Sequence, residues 1–439
     1  MQNGFWHIRL CTALLIILLA ESECKAETAY DAQARATVTI PVANPLRGFD
    51  ASTSAWNGAS QLFAASTRFV AGAADLDESL KGRFAYLALS AYLDYAAKYY
   101  AHEIAHRFHQ KTDSRNFKLD LSDWSHFVPK LELGMPWDCW DPQELEEYVR
   151  SNDPKLDARI RRWLILMDES GLYQEKFNAR SAAQYSARSG STTVSSAVSF
   201  IVNHIGDFSY NLFYGNDPIT ITRIDGYTLM HINDINGYIS TMREMGIPIS
   251  RNDWLIVSFL TFAGSGQTWN STRASYRYIV SGERIVDNWA WSISDRFALS
   301  PPNFYLFPTY RGLYLESETC VNITSSDNRR LHVALGTGLD SFGLNQAGMV
   351  DRIRIGGIYD AMDLRFGFVA FSLSPYCYTN LDRRLKHRGQ SVGADLFFPV
   401  GSRFSLRGTI EYNRNDMIEG IIKNKDEGMY FLAALGFDL

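Results

Sequence analysis

At 439 residues the chain exceeds the roughly 250–300 that one hydrophobic core serves, so more than one domain is expected. A formal net charge of −5 and the lack of any long basic block argue against nucleic acid or an anionic membrane surface as the main partner. Aromatic residues are frequent, with 23 Tyr, 26 Phe and 10 Trp, and only 21% of the chain is charged, which calls for much buried or interfacial surface.

The first 26 residues read as a cleaved secretory signal. Arg9 supplies the positive start, Leu10 to Ala20 the apolar stretch, and Cys24-Lys25-Ala26 the cut. A lipoprotein cut at Cys24 is disfavoured by Ser22-Glu23 before it. Cys139, Cys320 and Cys377 then remain, enough for one disulfide, Cys320 with Cys377, but not for a disulfide framework. No later segment has 18 consecutive apolar residues; the longest run, Trp254 to Ala263, is too short to be a transmembrane helix.

From about residue 59 to 188 the pattern is mainly helical. Phe84 to Gln110 contains neither Gly nor Pro, and Tyr92, Tyr95, Tyr99, His102, His106 and His109 recur along one predicted face. Such a helix, apolar on most sides, is expected to be central and buried. It carries His102-Glu103-Ile104-Ala105-His106, an H-E-x-x-H pentapeptide. Imidazoles at i and i+4 project from one helix face about 6 Å apart and can share a tetrahedral zinc. A glutamate between them can take a proton from water on that ion.

In these residues the chain resembles the zincin metallopeptidases, over the motif helix and about 80 residues beyond it. The resemblance implies that His102 and His106 are Zn2+ ligands and Glu103 the general base. The metzincin extension would need Gly at position 109 and His at 112, where this chain has His109 and Thr112. His109 lies about 10 Å along the axis from His102, too far to share the same ion. The gluzincin subclass takes a later glutamate, and Glu175 within Gly171-Leu172-Tyr173-Gln174-Glu175-Lys176-Phe177-Asn178-Ala179 is the first choice for that role. Arg180 stands where an acidic residue is usual. Asp168 and Glu169 are the alternatives; Glu144, Glu146 and Glu147 read as a solvated face. Tyr173, His204 and His126 are candidate oxyanion stabilisers that the sequence does not rank, with His231 weaker.

Beyond the motif, Gln143 to Arg150 and Leu156 to Asp168 read as helices, Ser170-Gly171 as a break, and Leu172 to Ser186 as a resumed helix. Further helices are expected at 195–213, 226–245 and 252–264. From about Asn303 the period becomes two. Phe404, Leu406, Gly408, Ile410 and Tyr412 alternate with Arg403, Ser405, Arg407, Thr409 and Glu411; residues 391–398 do likewise, and 331–339, 352–359, 363–372 and 429–439 repeat the pattern. Strands of about ten residues fit either a sandwich or a membrane barrel. The alternating last strand resembles those that end bacterial outer-membrane proteins, although Leu439 stands where an aromatic is commoner.

The expected fold is therefore α+β and multidomain: a signal at 1–26, a mainly helical zincin-like domain at 27–300, and a C-terminal antiparallel β-barrel of about eight strands at 301–439. The expected function is zinc-dependent peptide hydrolysis at the bacterial outer membrane, with outer-membrane lipid and a polypeptide substrate as partners and no nucleic acid. The alternative is a non-enzymatic barrel for transport, adhesion or assembly in which the H-E-x-x-H helix is structural.

Overall fold

In the computed structural model, the residues described are 35–39, 76–108, 118–122, 128–132, 154–214, 220–224, 227–231, 234–244, 246–247, 249–309, 312–324, 330–339, 350–359, 362–366, 369–382, 388–400, 404–414 and 428–438. The expected signal at 1–26 and the helix expected at 143–150 lie outside them.

Seven α-helices are described: α1 (Leu80–Phe108), α2 (Pro154–Ser189), α3 (Val194–His204), α4 (Gly206–Tyr214), α5 (Asp234–Glu244), α6 (Arg251–Gly264) and α7 (Gly266–Ser281). α1 buries only part of the expected face, Tyr99 and His102, and adds a polar stripe to it. Tyr92 is exposed, whereas Ser90, Asp94, Lys98 and His102, spaced four apart, are buried together. The face turned inward is polar because it meets charged partners on α2. α2 runs unbroken through Ser170-Gly171, against the expected break. A side chain at Gly171 would overlap the His102 ring, so the glycine serves the helix crossing and not a turn. α2 ends at Gly190, whose φ of 71° is the left-handed conformation that closes helices. α3 begins with a capping box between Thr193 and Ser196.

The strands correct the fold expectation. Three short hairpin or ladder pairs, β2 (Lys118–Asp120) with β3 (Lys130–Glu132), β4 (Ser191–Thr193) with β7 (Ile285–Asp287), and β5 (Thr220–Ile224) with β6 (Tyr227–His231), decorate the helices. β6, at 227–231, stands where the start of the helix expected at 226–245 would lie, and α5 occupies most of the rest. The remaining twelve strands form one antiparallel sheet: β1 (Arg35–Thr39), β8 (Trp291–Ser294), β9 (Phe297–Leu299), β10 (Asn303–Thr309), β11 (Gly312–Thr324), β12 (Arg330–Leu339), β13 (Val350–Tyr359), β14 (Met362–Phe366), β15 (Val369–Asp382), β16 (Arg388–Val400), β17 (Phe404–Arg414) and β18 (Gly428–Asp438).

Its order is β1-β18-β17-β16-β15-β13-β12-β11-β9-β8, with β10 on β11 and β14 on β15. Among the described residues the two ends do not pair. Over these residues the sheet is open, which corrects the expected closed C-terminal barrel of about eight strands. Period two reports the two faces of each strand, but closure depends on whether the first and last strands meet. The sheet also recruits Arg35–Thr39 from before the helices, paired to β18 from Arg35 opposite Asp438.

Helices and sheet share their core. Tyr305 and Phe307 of β10 pack with Tyr173, Ala179 and Phe200 of α2 and α3. Leu306 packs on the other side with Leu172, Ile235, Tyr238 and Trp254. Both faces of β10 are thus buried, which is why Phe304-Tyr305-Leu306-Phe307 reads as a continuous apolar run. At the join Arg180 reaches Glu316 Oε1 at 2.5 Å and Glu318 Oε2 at 3.4 Å, all three buried. Its guanidinium also covers the rings of Phe177, Tyr305 and Phe307.

Cys320 is a buried free thiol, which corrects the expected disulfide. It sits on β11 opposite Ala334, and Cys377 sits on β15 opposite Gly357. β12 and β13 lie between, about 14 Å of sheet, whereas a disulfide spans less than about 7 Å between Cα atoms. Burial pushes the Cys320 thiol up to about 12.

Candidate functional site

Four helices converge on the motif histidine. α1 contributes Lys98 and His102 one turn apart, with Glu103 half-buried beside them. α2 contributes Glu175 and Lys176, α4 contributes Gly206, Asp207 and Tyr210, and α5 contributes Asp234 in its first turn, where the helix dipole favours an anion.

The His102 ring is gripped at both nitrogens. Nδ1 lies 3.0 Å from Glu175 Oε1, and Nε2 lies 2.9 Å from Asp234 Oδ2. Burial by itself would lower the pKa of this imidazole, but the two carboxylates outweigh burial and push it up to about 10. Burial would likewise raise Glu175; Lys98, 3.3 Å from its Oε1, together with His102, brings its pKa below the ordinary value. Lys176 pairs with Asp207 at 3.2 Å and donates to the His204 carbonyl at 3.0 Å. Burial pushes Asp207 up to about 6 despite that lysine.

Tyr210 stacks on His102, with ring centroids 6.1 Å apart and planes inclined by 28°. Burial, then the charges of Asp234 and Glu103, push its phenol pKa well above 10. It therefore stays protonated at neutral pH and able to donate a hydrogen bond. Neither periodicity nor spacing marks Tyr210 in the sequence.

The sequence candidates for stabilising an oxyanion fall elsewhere or outside the described residues. Tyr173 packs against Phe307 in the core shared with the sheet. His204 is enclosed by Phe200, Phe262 and Tyr305, and burial lowers its pKa well below 6.5. His231 lies on β6 and not on a helix. His109, His126, Glu144, Glu146 and Glu147 lie outside the described residues, as do the side chains of His106, Asp168, Glu169 and His231. α1 continues through position 106 to Phe108, which keeps that position one helical turn beyond His102.

An imidazole with nearby carboxylates is a donor set that zinc accepts. Glu175 Oε2 is buried and has no hydrogen-bond partner, which leaves one ligating oxygen uncommitted. Gly206 faces that oxygen and Gly171 faces the His102 ring, so only glycine leaves both groups their space. Glu175 and Asp234, however, approach opposite edges of one ring. Among the described residues, no three His, Cys, Asp or Glu side chains converge on a single point. His102 and Glu175 are donor types that such an ion accepts, and the side chain at position 106 lies outside the described residues.

No family model matches the chain, and comparison with curated proteins and with solved structures finds no match either.

Proposed function

We propose that this chain is a zinc-dependent hydrolase acting on a peptide carbonyl, held at the bacterial outer membrane. The observation that carries the reading is the crossing of α1 and α2, which brings Glu175 Oε1 to 3.0 Å from His102 while leaving Oε2 buried and unbonded. His102, His106 and Glu175 would hold the ion. Zinc, when bound, supplies Lewis acidity toward a carbonyl and acidifies water. Glu103 is the group that takes the proton from the attacking water. Tyr210, its phenol kept protonated by burial, offers a hydrogen bond to the developing oxyanion. Asp234 steadies the opposite edge of the His102 ring.

Association with lipid is supported by apolar side chains turned outward. Ile256, Phe259 and Leu260 form an exposed stripe on α6, and Trp269, Tyr276 and Val280 another on α7. On the sheet, Leu406, Ile410 and Tyr412 of β17 and Val392 of β16 are exposed as well. No helix among the described residues is long and apolar enough to cross a membrane.

A second reading has its own observation. With His102 protonated, the cations Lys98, Lys176 and His102 face the anions Glu175, Asp207 and Asp234, a balanced buried network that needs no ion. Metal analysis of the purified full chain separates the two. The hydrolase reading expects about one zinc per chain, lost in Glu175→Gln, and peptidase activity reduced ~10²–10⁴-fold in Glu103→Gln. A zinc-free wild type, or equal hydrolysis by Glu103→Gln, overturns it in favour of the structural network.

A further inference from the structure

Between the end of α2, the start of α7 and β10 lies a cavity of about 180 Å³ that the proposed hydrolytic centre does not use. Its lining has no charged side chain and an unusual share of carboxamides: Gln267, Asn270, Asn288, Asn303 and Asn322, with Trp289 at one wall. Ala183 and Ala187 of α2, which also line it, sit about 12 to 18 Å along the helix from Glu175, so it is a separate place in the fold.

The orientation of two of these amides is fixed by the backbone. Asn303 Oδ1 accepts from the Gln267 N–H at 2.8 Å, and Asn270 Oδ1 accepts from the Trp289 N–H at 2.8 Å. An N–H donor requires an oxygen opposite it, so each Nδ2 is turned away from its backbone partner. Neither NH₂ group has a protein acceptor, although Asn303 is only 4% and Asn270 only 6% exposed. Asn288 and Asn322, by contrast, donate to the Ser186 and Ala187 carbonyls at 2.7 and 2.6 Å. Two amide donors without a protein acceptor are thus left to a guest in the cavity.

The indole of Trp289 is 53% exposed and meets Trp291 edge to face, with centroids 6.1 Å apart. An aromatic plate open to solvent beside amide donors, with no charged side chain in the lining, suits a neutral guest rich in oxygen acceptors and having a flat C–H face. A pyranose ring has both properties. A cavity of about 180 Å³ has room for several waters or one small ring. We propose that this cavity binds one uncharged sugar unit, free or at the end of a glycan, with its C–H face on Trp289 and its oxygens on the Nδ2 groups of Asn270 and Asn303.

The test is saturation-transfer NMR on the purified full chain with glucose, galactose and N-acetylglucosamine, and glucuronic acid as the charged counterpart. At least one neutral sugar should show saturable transfer, and glucuronic acid none. Asn303→Asp keeps the acceptor for Gln267 but removes the donor, and should weaken binding about tenfold or more. Trp289→Ala alters only an outward ring and should do the same, which decides the matter if the aspartate variant does not fold. Silence from all three neutral sugars would mean that the cavity holds water alone and would overturn the proposal. So would undiminished binding by Trp289→Ala.

Discussion

His102 and Glu175 meet across 73 residues of chain, and two glycines make the room. A methyl at Gly206 would overlap Glu175 Oε2, and one at Gly171 would overlap the His102 ring. Gly206→Ala and Gly171→Ala should each lower stability by about 1–3 kcal/mol in urea melts, although alanine is the better helix former. Unchanged or raised stability would show that the cluster tolerates a shift. His204 provides the pH test. Burial holds it neutral in the folded protein, whereas the unfolded chain protonates it below its ordinary 6.5. The unfolded state then binds more protons, so the stability His204 contributes is present above pH 6.5 and falls away below it, by up to ~1.4 kcal/mol per unit. His204→Gln should flatten that slope in melts taken across the window; an unaltered slope would assign the acid sensitivity to other groups. The motif histidine, its glutamate and Glu175 were legible as residue types at spacings. Asp234, Lys98 and Tyr210 were not, because only folding sets them beside His102.

α2 is the element on which the molecule is organised: Glu175 and Lys176 face the other helices, Arg180 faces the sheet, and Ala183 and Ala187 face the cavity. Arg180 neutralises Glu316 and Glu318, both inaccessible to water. Arg180→Leu leaves those carboxylates buried without their cation and should cost about 3–5 kcal/mol in equilibrium unfolding. Arg180→Leu combined with Glu316→Gln and Glu318→Gln should recover part of that loss; no recovery would mean that the ring contacts, not the charges, carry the join. The sequence marks α2 as helix on both sides of Ser170-Gly171, yet reads the glycine as punctuation. Its reason is a neighbour 69 positions away in the chain, which no local pattern contains. The stripe Ser90-Asp94-Lys98-His102 had a visible four-residue spacing, but polar residues at that spacing ordinarily mark a solvated face.

At the scale of the described molecule, the twelve described strands form one open sheet docked through β10 onto the helices, and apolar side chains of β16 and β17 face outward. Val392 lies opposite Tyr412 in the register, so these exposed residues form cross-strand neighbours and not scattered points. If that face meets lipid, Leu406→Asp with Ile410→Asp should abolish co-flotation of the purified chain with phospholipid vesicles while leaving its helix content by circular dichroism unchanged. Equal flotation of the variant would place the contact elsewhere, on the α6 and α7 stripes. The sequence by itself determined the long helices, the extended character of the C-terminal segments and the presence of the H-E-x-x-H pentapeptide, because these are written in local period and spacing. Only the tertiary structure decided that the strands form an open sheet, that Arg35–Thr39 completes it beside β18, that the Cys320 thiol stays free, and which charges surround His102. Each of those depends on which distant segments come together, and that is fixed by packing and long-range strand pairing rather than by neighbours in the chain.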